Sequence, residues 1–347
     1  MGVAFLYGNG GGGSASGVGG MLTVTAPAGV TVTLAKDDKT KTKIAGSDGI
    51  AVFKGLEAGN WVVTITDGTR TATKTVTVIT DYATAISFST IPDFTYTGNF
   101  EIVNDADEPI ATSQGNWKIR FLTSGTLTFT ALNGAENGID VFLVGGGGSG
   151  ANGCEQSDGT YRSARGGGGG YTKTVRGVQI STNTDYTITV GAGGASASAI
   201  SQSGNNGGST SAFGATANGG KGAVGFTGSG YGGSGGDGGS GGGGISGNGG
   251  SNGADGSGAD PGKGQGTTTR EFGESSGKLY AGGGGGAVNG AGGAGGGGAG
   301  CPTESNSNGV DGIANTGGGG GAGSRLGYPY THSGAGGSGI VIIRNKR

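Results

Sequence analysis

Three neighbouring carboxylates, one histidine, two cysteines and a few tyrosines are the residues of this 347-residue sequence whose types could do chemistry. Asp105, Asp107 and Glu108 lie close enough together to suggest a calcium site or the acid and base of a glycosidase. They fall in a polar turn over Asn104–Pro109, however, so turn chemistry predicts a solvated loop. Serine, aspartate and His332 could compose a hydrolytic triad, but His332 sits in LGYPYTHSG with no apolar strand leading to a nucleophile elbow. His332 is the only histidine and no CxxC occurs, which argues against a metal. Matches to GxGxxG are unavoidable in so glycine-rich a chain, and none precedes an amphipathic helix that would hold a phosphate. The sequence therefore predicts recognition rather than catalysis, with no cofactor and no metal.

Recognition residues are sparse and can be named. Tyr328, Tyr330 and His332 are the leading contact candidates, because Pro329 stiffens a loop between glycines; Arg162, Arg165 and Phe272 join them. Aromatic rings stack on sugar faces or fill protein pockets at low conformational cost. Tyrosines adjoining glycine runs, Tyr171, Tyr231 and Tyr280, fit equally well as caps on whatever the glycines build. Cys154 and Cys301 each follow a glycine run by a few residues, so similar surroundings make a Cys154–Cys301 disulfide a candidate, the alternative being two unpaired loop thiols. Val3, Phe5 and Tyr7 head a Gly/Ser tether and read either as an anchor on another protein or as a terminus covering a nearby sheet.

The elements that must position these residues are unusual. Of 347 residues 93 are glycine, and six runs, Gly145–Gly148, Gly166–Gly170, Gly241–Gly244, Gly282–Gly286, Gly295–Gly298 and Gly317–Gly321, share one segment between strand-like sequences. Ordering glycine costs more backbone entropy than ordering any other residue, so runs of five stay fixed only when something offsets that cost. Lateral packing of polyglycine II helices does so. Each makes no internal hydrogen bond and turns once per three residues at about 3.1 Å per residue, so its N–H and C=O groups must bond to neighbours.

Upstream, residues 21–88 alternate apolar and polar, through Leu22 and Val24; Val30, Val32 and Leu34; Ile50 and Val52; Val63 and Ile65; Val76 and Val78; Ile86 and Phe88. Turn signals at Asp48–Gly49 and Asp67–Gly68 suit a small antiparallel sandwich. Further strands are expected over Trp117–Phe121, Thr126–Thr130, Ile139–Val144, Val175–Ile180, Tyr186–Val190 and Gly339–Arg344, the last returning to pair with Val141–Val144. The predicted fold is all-β: a tether over 1–20, a sandwich over 21–90, and a glycine-rich domain over 91–347. Within that domain a β base (91–144, 171–190 and 339–344) carries a polyglycine II region over 145–338. A net charge of −2 gives no basic footprint for nucleic acid, no apolar run is long enough to span a membrane, and Met1–Tyr7 lacks the features of a secretory signal.

The stretch GVTVTLAKDDKTKTKIAGSDGIAVFKGLEAGNWVVTITDG resembles transthyretin-like or PEGA-like modules, which implies a spacer. FLVGGGGSG at 142–150, GGGGGY at 166–171, YTITVGAGG at 186–194, GGSTSAFG at 207–214, GGGGGA at 282–287 and GAGGSGIVIIR at 334–344 together resemble the glycine-rich domain of bacteriophage structural proteins, including tip adhesins of T-even-like tail fibres. That resemblance implies a virion component, assembled in the host cytoplasm and acting outside the cell. It would join other virion proteins through its N-terminus and meet a host surface glycan or protein through its loops. Fibres are commonly trimeric, although no heptad or β-helix repeat here demands it. Rival expectations are a capsid-decorating or cement protein without a receptor and, further off, a polysaccharide depolymerase.

Overall fold

The computed structural model describes residues 19–66, 71–88, 91–110, 115–133, 135–155, 161–162, 164–225, 234–302, 307–324 and 332–345, with only the backbone at Ala72, Ser87, Cys154, Glu155, Tyr161 and Arg162. Val3, Phe5, Tyr7, Tyr328 and Tyr330 lie outside these residues. Among them every regular element is β except one 3-10 turn at Glu271–Gly273, so the all-β class holds. The chain divides into two units, one running to Pro92 with Ile110–Trp117 and Leu132–Ala135, the other comprising the remainder.

Among the described residues the first unit has seven strands: β1 (Gly20–Thr25), β2 (Thr31–Lys36), β3 (Lys39–Ile44), β4 (Ile50–Leu56), β5 (Gly59–Thr66), β6 (Thr71–Val78) and β7 (Ala83–Ser87). One sheet is ordered β3-β2-β5-β6 and the other β4-β1-β7. Leu22, Val24, Val32, Leu34, Phe53, Trp61 and Val63 form their common core, each at most 1% exposed. Two expectations need correcting. The sandwich is not wholly antiparallel, because β7 lies parallel to β1. In β4 the inward residues are Ala51 and Phe53, while Ile50 is 39% exposed; with a side-chain period of two, a shift of one residue exchanges the faces. Lys43 and Lys41 of edge strand β3 donate to the carbonyls of Val52 (2.6 Å) and Lys54 (3.2 Å) on edge strand β4. Ammonium groups thus cover edge acceptors that would otherwise invite another strand.

The second unit begins with β8 (Asp93–Tyr96), β9 (Phe100–Val103), β10 (Lys118–Phe121), β11 (Gly125–Ala131) and β12 (Ile139–Val144). After the first glycine runs come β13 (Cys154–Glu155), β14 (Tyr161–Arg162), β15 (Thr172–Val178), β16 (Asp185–Ile188), β17 (Thr210–Ala212), β18 (Ala215–Ala217) and finally β19 (Ile340–Asn345). An antiparallel sheet of order β15-β12-β19-β10-β9 has the C-terminal strand at its centre, Val141 facing Ile343 and Val144 facing Ile340. A smaller sheet is ordered β16-β11-β8. Aromatic pairs Tyr96–Phe121 (4.7 Å), Phe94–Phe129 (6.5 Å) and Phe129–Tyr186 (5.9 Å) fill this base, where burial pushes the Tyr96 hydroxyl pKa up to about 12.

Beyond the base the glycine runs pack side by side. Starting where β12 ends, Gly145, Gly148 and Ala151 donate to Tyr171, Gly168 and Arg165; Gly146, Ser149 and Asn152 donate to Gly208, Asn205 and Gln202; Gly147 and Gly150 donate to Gly337 and Gly334. Donors three apart thus reach one neighbouring segment at acceptors three apart, which only a helix of three residues per turn produces. Carbonyls of the same helix receive Gly220 and Ala223, Gly320 and Gly323, and Gly194, so six surrounding segments enclose it. Gly166–Gly170 repeats the pattern, with donors 166 and 169 reaching 243 and 240, 167 and 170 reaching 320 and 317, and 168 reaching 221.

Close approach is why these positions are glycine. A Cβ on Gly284 would stand 2.0 Å from the Gly320 oxygen, and one on Gly336 would stand 1.9 Å from that of Gly147. At the rim the partners change to short polar side chains at the same spacing: Ala291 and Ala294 donate to Asn248 Oδ1 (2.9 Å) and Ser251 Oγ (2.7 Å), and His332 and Ala335 to Asn308 Oδ1 (2.9 Å) and Asp311 Oδ1 (2.7 Å). The three-residue helices do not fill 145–338 without interruption. The β17–β18 hairpin, turned by Phe213 and Gly214 at positive φ, and the segment 269–281 interrupt them.

Two substitutions separate the lattice from ordinary glycine conformation. Gly284→Ala should destabilise the protein by roughly 3 kcal/mol or more through forced backbone displacement. Gly214→Ala, with φ +74 but open space around it, should cost only about 1 kcal/mol. Denaturant midpoints of the two variants measure the difference.

Candidate functional site

Because each helix residue advances about 3.1 Å, Gly153 stands about 25 Å from the strand that feeds Gly145. Its surroundings define the far end of the array. Asn152 and Gly153 bond there to Gln202 and Ser324, Ala151 to Arg165, Ala287 to Ala164, and Gly309 to the carbonyl of His332. Connections between helices that reach this end carry its side chains. Among the described residues His332 and Asn308 are exposed there, joined by the Asn308 Oδ1 bond, and Ile200 and Val224 are 50% and 41% exposed. Ile200 and Val224 escaped sequence reasoning; their only signal was bulk amid glycine, serine and asparagine.

The other candidates do not converge on one surface. Tyr328 and Tyr330 lie outside the described residues, as does the side chain of Arg162. Arg165 is 4% exposed and spans 3.4 Å to Asp260, so it serves within the array and not as a contact. Cys301 is a buried thiol that donates to the Gly323 carbonyl at 3.2 Å in a small cluster with Ala164, Ala287 and Ala322, not one half of a bridge to Cys154, whose side chain lies outside the described residues.

Phe272 also needs correcting as a contact. It is 2% exposed, held at φ 53, with its ring 5.8 Å from Phe142 and under the Arg344 guanidinium at 4.0 Å. Tyr280 packs on the same Phe142 at 5.5 Å, as a cap would, and burial drives its hydroxyl pKa well upward. Both belong to segment 269–281, which crosses one face of the five-stranded sheet.

Register explains what that segment meets. Lys118, Arg344 and Asp140 stand side by side across β10, β19 and β12, followed along the strands by Arg120, Ile342 and Phe142, so this face passes from charged to apolar. Asp140 is wholly buried and accepts from Arg344 Nη2 (3.2 Å) and Arg176 Nη1 (3.0 Å). Arg344 reaches on to Glu274 (3.0 Å), and Arg176 Nη2 donates to the Phe272 carbonyl (2.8 Å). Glu271, 3% exposed, takes Lys118 at 3.1 Å.

Asp107, expected in a solvated loop, instead turns inward to both Lys118 and Arg120. The turn behind it forms as sequence suggested, with Asn104 Oδ1 accepting from Ala106 (2.9 Å) and Glu108 (3.0 Å). Burial acts to raise the Asp107 pKa, but hydrogen bonds and attraction from Arg120 and Lys118 prevail and hold it below the usual carboxylate value. Asp107, Lys118, Glu271, Glu274, Lys278 and Arg344 line a cavity of about 350 Å³ whose charges largely satisfy one another. No group of three or more metal-ligating side chains occurs among the described residues. The arrangement serves as a clamp that fixes segment 269–281, and with it the helix starting at Gly282, to the sheet.

Removing the Asp107 charge tests the clamp. Asp107→Asn should cost roughly 2 kcal/mol at neutral pH, less than for a wholly enclosed pair because the Asp107 side chain is 33% exposed. A carboxylate with a lowered native pKa stabilises above its unfolded value near 3.9, and that contribution vanishes as pH falls through the native one. The gap between wild type and variant should therefore close below about pH 4 in urea titrations.

Comparison with known proteins agrees with this construction from the residues. No curated protein matches the chain. A family model described as a glycine-rich domain matches residues 122–346, from β11 through β19 and the whole lattice between. The chain belongs to this glycine-rich domain family.

Proposed function

We propose that this protein is a structural component of a bacteriophage particle, a fibre or tip element that meets the host cell surface with the far end of its glycine array. The observation carrying this reading is the distribution of side chains. The array interior consists of backbone bonded to backbone, so adaptable chemistry is left to the connections. Several of these meet at one end, where His332, Asn308, Ile200 and Val224 are exposed. In sequence Tyr328 and Tyr330 fall between Ser324 and His332, both at that end. A rigid support presenting aromatic and polar loops suits a surface glycan or protein, since little conformational freedom is lost on contact.

In this reading the first unit is a transthyretin-like spacer, and Val3, Phe5 and Tyr7 dock to another virion protein. The particle is assembled in the host cytoplasm and acts outside the cell. Recognition is favoured over catalysis because Asp107 is bound by Lys118 and Arg120 and offers no paired carboxylate to a sugar. A cement role has its own support: Val310 and Ile313, three apart on an outer helix, are 55% and 62% exposed along a side of the array.

Competition decides between the two. Purified protein should block adsorption of particles to host cells, and Tyr328→Ala with Tyr330→Ala should weaken that block at least tenfold while leaving the unfolding midpoint unchanged. Binding to particles but never to cells would transfer the function to cementing; full blocking by the double variant would remove those tyrosines from the contact.

A further inference from the structure

Among the described residues β3 and β4 are edge strands, β3 paired with β2 alone and β4 with β1 alone. Alternation along β3 puts Thr42 on the outer face, where its hydroxyl meets that of Thr33 (3.3 Å), and Lys39, Lys41 and Lys43 on the face towards the other sheet. These lysines cross to β4 in order. Lys43 donates to the Val52 carbonyl (2.6 Å), Lys41 to those of Lys54 (3.2 Å) and Gly55 (3.3 Å), and Lys39 pairs with Glu57. Rising numbers on β3 thus meet falling numbers on β4, so the two edges run antiparallel. Between them lies a groove of about 700 Å³ lined by Lys41, Thr42, Lys43, Val52, Phe53 and Lys54. Three of these six side chains are cations and none is a carboxylate; Glu57, Asp38 and Asp37 gather at the Lys39 end instead.

A sheet edge accepts an extended segment through its backbone, and here the lysines make that acceptance depend on charge. A strand added to β4 takes the Val52 and Lys54 carbonyls for its own N–H groups, which displaces the ammonium groups of Lys43 and Lys41. A neutral or basic strand leaves both of them without an acceptor, Lys43 beside the buried ring of Phe53 at 5.7 Å. A strand with carboxylates towards β3 takes them over as ion pairs. Side chains on one face of a strand recur every two residues, about 6.8 Å, which is the repeat of Lys41 and Lys43 themselves. On the outer face of β4 the added strand would lie beside Ile50, 39% exposed, and the half-buried Val52, where apolar side chains fit.

We propose that the groove between β3 and β4 docks an extended acidic segment of a partner protein, with aspartate or glutamate at every second residue, as an added strand on β4. Lys41 and Lys43 set the specificity: they cover the edge in the free protein and hold the carboxylates in the complex. This interface belongs to the first unit and stands independently of the surface contact proposed for the glycine array.

Fluorescence anisotropy of the intact protein with a labelled short peptide alternating aspartate and valine tests this. The comparisons are a peptide of the same composition with its aspartates consecutive, a peptide with asparagine for each aspartate, and polyglutamate. The alternating acidic peptide should bind about tenfold more tightly than each of them. Lys41→Gln with Lys43→Gln should weaken the acidic peptide about tenfold and strengthen the asparagine peptide, a reversal that loss of a merely structural contact does not produce. Lys41→Arg with Lys43→Arg, which keeps both charges, should retain binding of the acidic peptide. Hydrogen exchange should show new protection at the Val52 and Lys54 amides in the complex. Failure of the alternating acidic peptide to bind the wild-type protein would overturn the proposal. Equal binding by the consecutive isomer or by polyglutamate would do so too, as would unchanged affinity in the glutamine double variant.

Discussion

A hydrogen bond between two backbones with no Cβ between them is the interaction on which the second unit depends. Fixing one residue's backbone costs about 1–2 kcal/mol, and glycine lies at the costly end, whereas one intramolecular hydrogen bond contributes a net of about 0.5–1.5 kcal/mol. These terms nearly cancel, so a glycine helix is ordered only when almost all its groups are bonded. Enclosure by six neighbours meets that condition for the helix after Gly145. A single displaced strand of the lattice leaves groups unpaired on several others, which makes the array cooperative despite its lack of an apolar core.

Such a lattice needs a boundary that fixes where each helix begins. The five-stranded sheet supplies it: β12 runs straight into Gly145, Gly170 leads through Tyr171 into β15, and Gly339 leads into β19. Adjacent strands in that sheet therefore launch or receive helices already side by side. The segment without a strand, 269–281, is fixed instead by Asp140, Arg344, Glu274 and Arg176 and by Lys118 with Glu271. Buried ion pairs are weak contributors to net stability but fix geometry, because any alternative position leaves a charge enclosed without its partner.

The rim follows from the same accounting of donors and acceptors. An outer helix lacks a glycine neighbour on one side, and serine, asparagine or aspartate oxygens three residues apart supply the missing acceptors, as Asn248 and Ser251 do for Ala291 and Ala294. Longer side chains other than Arg165, which is buried beside Asp260, are found at the connections, on outer faces or at the base. Separation of a rigid support from the connecting loops is thus built into the packing rule, and the contact proposed for the far end of the array rests on it.

Much of this was legible in the sequence because it depends on composition and short-range period. Glycine runs between apolar segments pointed to packed three-residue helices, alternation to strands such as Ile139–Val144, and GIVIIR to a returning partner for it. Side-chain placement was decided only by tertiary contact. Phe272 and Arg165 look like exposed ligand-binding residues among glycines, yet the fold covers one with Arg344 and pairs the other with Asp260. Asp107 reads as a solvated turn until Lys118 and Arg120, eleven and thirteen residues away on β10, arrive beside it. Local sequence determines which backbone can lie flat against another; which side chain is left facing water depends on what long-range pairing brings over it.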